Sequence, residues 1–263
     1  MSIIDSFRLD GKTAIVTGCS RGLGQAIAAG LAGAGANIFG VSSSAHADET
    51  KALVEKAAAA NGNSGKKPFA YFSADLANTE FVEKIFTQAI NDFGSVDILV
   101  NNAGIIRRND AVDFTEAEWD EVINVNLKTL FFMCQAAARQ FMKQKTGGKI
   151  INIASMLSYQ GGIRVPSYTA SKCGVKGITM GLANEWAKHG ININGIAPGY
   201  METDNTAALR ADETRNRDIL ARIPTGRWGA PSDLAGTAVF LASSASDYIN
   251  GFTIAVDGGW LAR

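Results

Sequence analysis

Apolar and polar positions follow two alternating rhythms along this 263-residue chain. Residues 12–17 (KTAIVT), 36–42, 69–73, 97–101, 149–154, 191–197 and 252–256 are short and mostly apolar. Such runs are the signature of strands covered on both faces. Between them, helical periodicity fills 22–33, 48–60, 80–93, 116–143, 167–188 and 232–242. Strand and helix in turn predict right-handed βαβ units, hence an α/β fold with a doubly wound parallel sheet of about seven strands and helices on both faces.

No Pro/Gly/Ser-rich linker divides the chain, and residues 61–67 (NGNSGKK) read as a loop between a helix and the third strand. The expectation is one domain over 1–263, with an irregular polar excursion at about 199–228. In open sheets of this kind ligands sit beyond the carboxyl ends of the strands. The candidate chemistry falls there.

Composition narrows the partners. Lys+Arg and Asp+Glu balance at 25 each and are well mixed, so no nucleic-acid or acidic-lipid surface is expected. Cys19, Cys134 and Cys173 are widely spaced and read as buried or semi-buried thiols of a reducing compartment. His46 and His189 join no cluster with metal-ligand spacing, so no metal is expected. No positively charged leader precedes an apolar run, and no apolar stretch nears the ~20 residues that span a bilayer. A cytoplasmic protein is the expectation.

Tyr168 and Lys172, in SYTASK, carry the strongest chemical signal. Four residues apart on a helix, they share a face, so the ammonium can approach the phenol. A nearby cation favours the phenolate and suits the pair to proton exchange at a carbonyl or alcohol oxygen. After the first strand comes TGCSRGLG, with Gly18, Ser20, Arg21, Gly22, Leu23 and Gly24. Glycines let a backbone approach a pyrophosphate whose charge the next helix N-terminus favours. The fourth strand ends in Asn101, Asn102, Ala103 and Gly104, and the fifth in Ala154 and Ser155.

The second strand ends in Ser42, Ser43 and Ser44, without the carboxylate that normally binds the adenine ribose hydroxyls. Arg21 inside the glycine loop could meet a phosphate. This local chemistry leans to NADP(H). The alternative is a solvated Arg21, with the serines serving NAD(H).

In order along the chain, TGCSRGLG, NNAG, NVNL, Ser155, YTASK and the Pro198–Gly199 pair resemble the short-chain dehydrogenase/reductase family, classical type, over essentially the whole length. The resemblance implies a Rossmann-type fold and an NAD(P)-dependent oxidoreductase acting on CH–OH groups. It implies that Tyr168 is the general acid/base and that Lys172 supports it while binding the nicotinamide ribose. Ser155 would hold the substrate oxygen, and Asn126 a water linked to Lys172. Asp75 and Leu76 would contact adenine; Asn102, Ala103 and Gly104 would line the ribose and nicotinamide; Thr203 would reach the cofactor. Relatives of this kind are commonly tetramers, so a homotetramer is expected.

The stretches NNAGIIRRND, INIASMLSYQGGIRVPSYTASK, APGYMETDNT and ASDYINGFTIAVDGGWLAR are similar to the family's sugar-acid dehydrogenases, of the 2-dehydro-3-deoxy-D-gluconate and 2-deoxy-D-gluconate type. That similarity implies a small polar substrate with one carboxylate, and NAD(H) rather than NADP(H). Arg107, Arg108 and Arg164 could grip the carboxylate, while Gln160, Asn205 and Thr206 could meet hydroxyls. One alternative is a 3-oxoacyl-carrier-protein reductase, though a long acyl chain is poorly served by so polar a surround. Another is a non-catalytic dinucleotide-binding sensor, since fold does not fix function.

Overall fold

The computed structural model describes residues 2–62 and 67–263. The strands are β1 Thr13–Thr17, β2 Asn37–Ser42, β3 Phe69–Ser73, β4 Ile98–Asn101, β5 Gly148–Ile153, β6 Ile191–Pro198 and β7 Thr253–Val256. All pair in parallel, in the order β3-β2-β1-β4-β5-β6-β7. The chain steps outward from β1 to β3, then returns to lay β4 on the other side of β1. That reversal is the topological switch point, where such sheets open a crevice.

Alternation along each strand feeds two cores. Ile15, Phe39, Leu99, Ile150 and Ile193 face one layer of helices: α3 (Val82–Phe93), α5 (Leu130–Gln144) and α6 (Pro166–Trp186). Ala14, Val16, Ile38, Val100, Ile151 and Ile196 face the other, formed by α1 (Gly22–Gly33), α2 (Asp48–Ala60) and α9 (Ala235–Ala242). Residues one apart on a pleated strand point to opposite faces, so strands buried on both sides must be apolar throughout.

Local chemistry sets the element ends. α4 (Glu116–Ile123) starts with a capping box in which Thr115 and Glu118 satisfy each other's backbone N–H groups. α6 starts with Pro166 in its first turn, where a missing N–H costs nothing.

Three features depart from the sequence expectation. The predicted helix over 116–143 is interrupted by a π-helical segment, Asn124–Thr129, between α4 and α5. The excursion at 199–228 is not irregular throughout: it contains α7 (Ala207–Ala211) and α8 (Glu213–Arg222), the latter capped by Asp212, which accepts from Arg215 N. Cys173 is exposed, while Cys19 and Cys134 are buried, where desolvation pushes their thiols up to about 12. The loop expected over 61–67 falls in part on residues 63–66, outside the described residues. Among the described residues, no helix is long and apolar enough to cross a membrane.

Candidate active site

The carboxyl ends of β1, β2, β4, β5 and β6 border a cleft of about 810 Å³, a size typical of cofactor and small-ligand sites. Its floor is the glycine turn between β1 and α1. Gly18 sits at φ +64°, and a Cβ there would stand 2.9 Å from Ala103 Cα. A Cβ on Gly24 would overlap the Gly18 carbonyl oxygen. Only glycine permits this approach of two backbones.

Side chains hold the two loops together. Asn102 Nδ2 donates to Thr17 O at 2.9 Å and to Gly18 O at 3.0 Å, while Thr17 Oγ1 accepts from the backbone N–H groups of Asn102 and Ala103. The result is a rigid cradle whose open side faces the first turn of α1, the arrangement that suits a pyrophosphate.

Of the residues expected at the cofactor, Gly18, Ser20, Arg21, Gly22, Leu23, Ser42, Ser43, Ser44, Asp75, Leu76, Asn102, Ala103, Gly104, Pro198, Gly199 and Thr203 line this cleft. Gly24 packs beneath it. Thr203 lies against the glycine turn, 3.7 Å from where a Gly22 Cβ would be. Ser42 and Ser44 are tied to Tyr71, whose hydroxyl lies 2.6 Å from Ser42 Oγ and donates to Ser44 O.

Beyond the glycine cradle, Ser155, Tyr168 and Lys172 line the same cleft. Ser155 leaves β5 and caps the turn Met156–Ser158, its Oγ accepting from Leu157 N at 3.1 Å. Lys172 is 3% exposed; its Nζ donates to Ile153 O at 2.6 Å and lies 5.7 Å from the Tyr168 ring centroid. Burial holds Lys172 down to about 8.

The expectation that Lys172 depresses the Tyr168 pKa does not describe the balance of forces here. Burial raises the phenol above its ordinary value; the Ser155 hydroxyl beside it and the Arg108 charge oppose that rise. A dry site disfavours the charged forms of both groups at once.

Asn126, in the π-helical segment, is fully buried. Its Oδ1 accepts from Ile105 N at 2.8 Å, and its Nδ2 donates to Ile105 O at 2.9 Å and to Ser171 Oγ at 3.2 Å. A Cβ on Gly104 would stand 3.2 Å from Asn126 Oδ1 and 3.7 Å from Lys172 Nζ. Asn126, Gly104 and Lys172 therefore meet behind the cleft.

The expected substrate residues separate into two groups. Asn205 and Thr206 line the cleft, and Arg108 Nη2 donates to Asn205 O at 3.1 Å while its charge reaches Tyr168. The other group faces elsewhere. Arg107 pairs with Glu121 at 2.7 Å and Arg164 with Asp110 at 2.9 Å, both exposed. Gln160 accepts from Trp260 Nε1 at 3.1 Å and from Arg222 at 3.4 Å, in a cluster with Tyr200.

Sequence reasoning also missed residues. Glu202 and Asp204 line the cleft, and Asp204 pairs with Arg21 at 3.3 Å. The acidic stretch METD beside an already suspected loop was the available signal.

A glycine cradle at the switch point, joined to a Ser–Tyr–Lys group at the far end of one cleft, defines an NAD(P)-dependent oxidoreductase acting on CH–OH groups. The chain belongs to the short-chain dehydrogenase/reductase family: a profile described as Enoyl-(Acyl carrier protein) reductase matches residues 18–261. It is 60% identical, over 99% of its length and 100% of the relative's, to 2-dehydro-3-deoxy-D-gluconate 5-dehydrogenase of Dickeya dadantii. It superposes on the crystal structure of a putative 2-deoxy-D-gluconate 3-dehydrogenase from Agrobacterium tumefaciens with bound NADP, with TM-score 0.89, 53% identity, and 98% and 99% of the two chains covered. A gluconate 5-dehydrogenase from Burkholderia cenocepacia in complex with NADP and tartrate superposes with TM-score 0.90 at 38% identity, covering 100% of both chains.

Proposed function

We propose that this protein is a 2-dehydro-3-deoxy-D-gluconate 5-dehydrogenase, interconverting the secondary alcohol of a six-carbon deoxy-keto sugar acid with the corresponding ketone. The observation that carries the reading is the placement of Arg108. Its guanidinium lies outside the lining of the cleft but donates to the backbone of Asn205, which lines it, and its charge acts on Tyr168. A cation beside a proton-transfer group suits an anionic polar substrate better than an acyl chain. The carrier-protein reductase reading is also not favoured by the names of the most similar relatives.

When bound, the nicotinamide would supply the hydride chemistry at the carbinol carbon. Tyr168 takes the hydroxyl proton during oxidation and gives it back during reduction. Ser155 hydrogen-bonds the substrate oxygen as its charge changes. Lys172 holds the nicotinamide ribose and, through its own proton, connects the phenol to the Asn126 region. Asn126 positions Ile105 and Ser171 and is suited to hold a water on that route. Gly18 to Gly24 would cradle the pyrophosphate, Ser42 to Ser44 and Arg21 would meet the adenosine ribose, and Asp75 with Leu76 would border adenine. Pro198, Gly199 and Thr203 close the opposite wall.

Arg108 binds the carboxylate and Asn205 a hydroxyl, with the segment at about 199–228 acting as the substrate loop. Arg107, Arg164 and Gln160, engaged elsewhere, support that pocket from outside. A homotetramer in the cytoplasm completes the reading: Trp119 and Phe132 on the helices of 116–144, Met180 on α6, and Phe252 before β7 are exposed apolar groups on the surfaces that such an assembly uses.

Steady-state turnover of 2-dehydro-3-deoxy-D-gluconate with NAD⁺ and NADP⁺ tests it. Tyr168→Phe should abolish turnover while leaving dinucleotide binding intact. Arg108→Ala should lower kcat/KM by about 10- to 100-fold, the worth of a hydrogen bond to a charged group, with Arg107→Ala and Arg164→Ala each changing it by less than about fivefold. Failure with either cofactor, alongside reduction of a 3-oxoacyl thioester, would sink the sugar-acid assignment. Undiminished output from Tyr168→Phe would favour the sensor.

A further inference from the structure

Arg21 and Asp204 come from opposite ends of the chain and meet across the cleft, Nε to Oδ2 at 3.3 Å. Arg21 precedes α1 in extended backbone, and its side chain makes no cap hydrogen bond. The backbone that carries Asp204 is held by its neighbours. It opens a short turn, Asp204–Thr206, in which Thr203 N donates to Thr206 Oγ1, and Thr206 Oγ1 donates to Met201 O at 2.6 Å.

Both residues line the same cleft as Ser43 and Ser44, and Ser44 Oγ donates at 3.3 Å to Ser20 Oγ, the residue before Arg21. Among the described residues lining the cleft, Arg21 and Lys172 are the only Lys or Arg side chains, against Asp75, Glu202 and Asp204. Lys172 is committed to the far end, so among the described lining residues Arg21 is the single guanidinium or ammonium at the serine end. Its partner there is already a carboxylate.

We infer that Asp204 sets the choice between NAD(H) and NADP(H) by competing with a ribose 2′-phosphate for Arg21. The discriminating acid thus sits on the loop after β6 and not at the end of β2. A 2′-phosphate carries close to two negative charges; it must draw Arg21 away from Asp204 and then lie near that carboxylate. Ribose hydroxyls make no such demand. Asp204 therefore shifts the preference toward NAD(H), offsetting the pull of Arg21 and the acid-free serine run. Both side chains are about three-quarters exposed, so the effect is that of a screened surface pair, about two- to fivefold in affinity.

The inference rests on the dinucleotide reading of the cleft and on nothing about the sugar acid. Dissociation constants for NAD⁺ and NADP⁺, measured by calorimetry on the full-length protein, test it. Asp204→Asn should tighten NADP⁺ about two- to fivefold and shift NAD⁺ far less. The gain should vanish in an Arg21→Ala background and shrink in high salt. Equal shifts for both dinucleotides, or a gain that survives loss of Arg21, would overturn it. If the unmutated protein binds neither dinucleotide, the cleft reading falls and this inference with it. If both bind as described but the sugar acid is not turned over, the substrate assignment falls and the role of Asp204 stands.

Discussion

Replacing Lys172 by methionine should abolish activity and, at neutral pH, make the protein more stable. The ammonium is 3% exposed and its pKa is lowered from 10.5 to about 8 by burial alone. At about 1.4 kcal/mol per pH unit, keeping that charge in the fold at pH 7 costs about 3 kcal/mol. Methionine removes the charge but leaves the Ile153 carbonyl without its donor, which returns about 1 kcal/mol. The net gain is about 2 kcal/mol, or a rise in Tm of about 4 °C for a chain of this length.

The sign then changes with pH. Between about 8 and 10.5 the unfolded lysine binds more protons than the folded one, so the wild-type protein gains stability as pH rises through that window. Above it, lysine is neutral in both states, and only the lost hydrogen bond separates the two proteins. Lys172→Met should therefore be the more stable protein at pH 7 and slightly the less stable near pH 10.5. Thermal unfolding of both proteins at matched ionic strength, from pH 6 to pH 10.5, measures the difference, and titration of every other group cancels. Lys172→Arg, which cannot shed its proton, should be destabilised throughout. A Tm difference that is flat across the range, or negative at pH 7, would refute the reasoning.

Two further outcomes follow from the same geometry. Gly18→Ala places a Cβ 2.9 Å from Ala103 Cα at φ +64°; it should lower unfolding stability by about 2 kcal/mol and weaken NAD⁺ binding at least about tenfold, checked by urea titration and calorimetry. Burial raises the Tyr168 phenol, so kcat for alcohol oxidation, which needs the phenolate, should climb by up to about tenfold per unit as pH rises from 7 toward 10. Reduction of the ketone, which needs the protonated phenol, should stay level and then decline. Parallel profiles in the two directions would show that another group limits both.

The strands were legible because burial on both faces forces a run such as TAIVT to be apolar throughout, a signal that survives without knowledge of any neighbour. The glycine turn, NNAG and YTASK were legible because backbone closeness and helical spacing are local properties. Helix α8 was not. Its sequence ETRNRDILAR buries only Ile219, so no apolar face announces it, although the Asp212 cap was there to be read.

The arginines could not be told apart from sequence. Arg107 and Arg164 stand as close in sequence to the motifs as Arg108 does, but Glu121 and Asp110 claim them, and those partners are set by packing. The tyrosine's acidity was misjudged for a related reason. Sequence spacing reveals the cation, while the desolvation that raises the phenol depends on the whole pocket.

That desolvation has a counterpart in how the site is positioned. Apolar packing is non-directional and leaves the axial position of a helix against a sheet loosely determined, whereas proton transfer needs it held to a fraction of an ångström. Buried hydrogen bonds supply what packing lacks. Asn101 and Asn152 are register partners on β4 and β5; Asn101 Nδ2 donates to Asn152 Oδ1 at 2.9 Å, and Asn152 Nδ2 donates to Thr179 Oγ1 at 3.0 Å. Thr179 lies two helical turns beyond Lys172 on the same face of α6. Ser158 Oγ donates to Lys172 O at 2.6 Å, and Lys172 Nζ returns to Ile153 O on β5. The helix carrying the phenol is thus tied to β5 at two heights, Thr179 and Lys172, and at Lys172 also to the turn that follows Ser155. In a low-dielectric interior such bonds are strong when satisfied and costly when broken. The same exclusion of water that makes the lysine charge expensive therefore makes the polar ties directional enough to fix Tyr168 and Ser155 relative to each other.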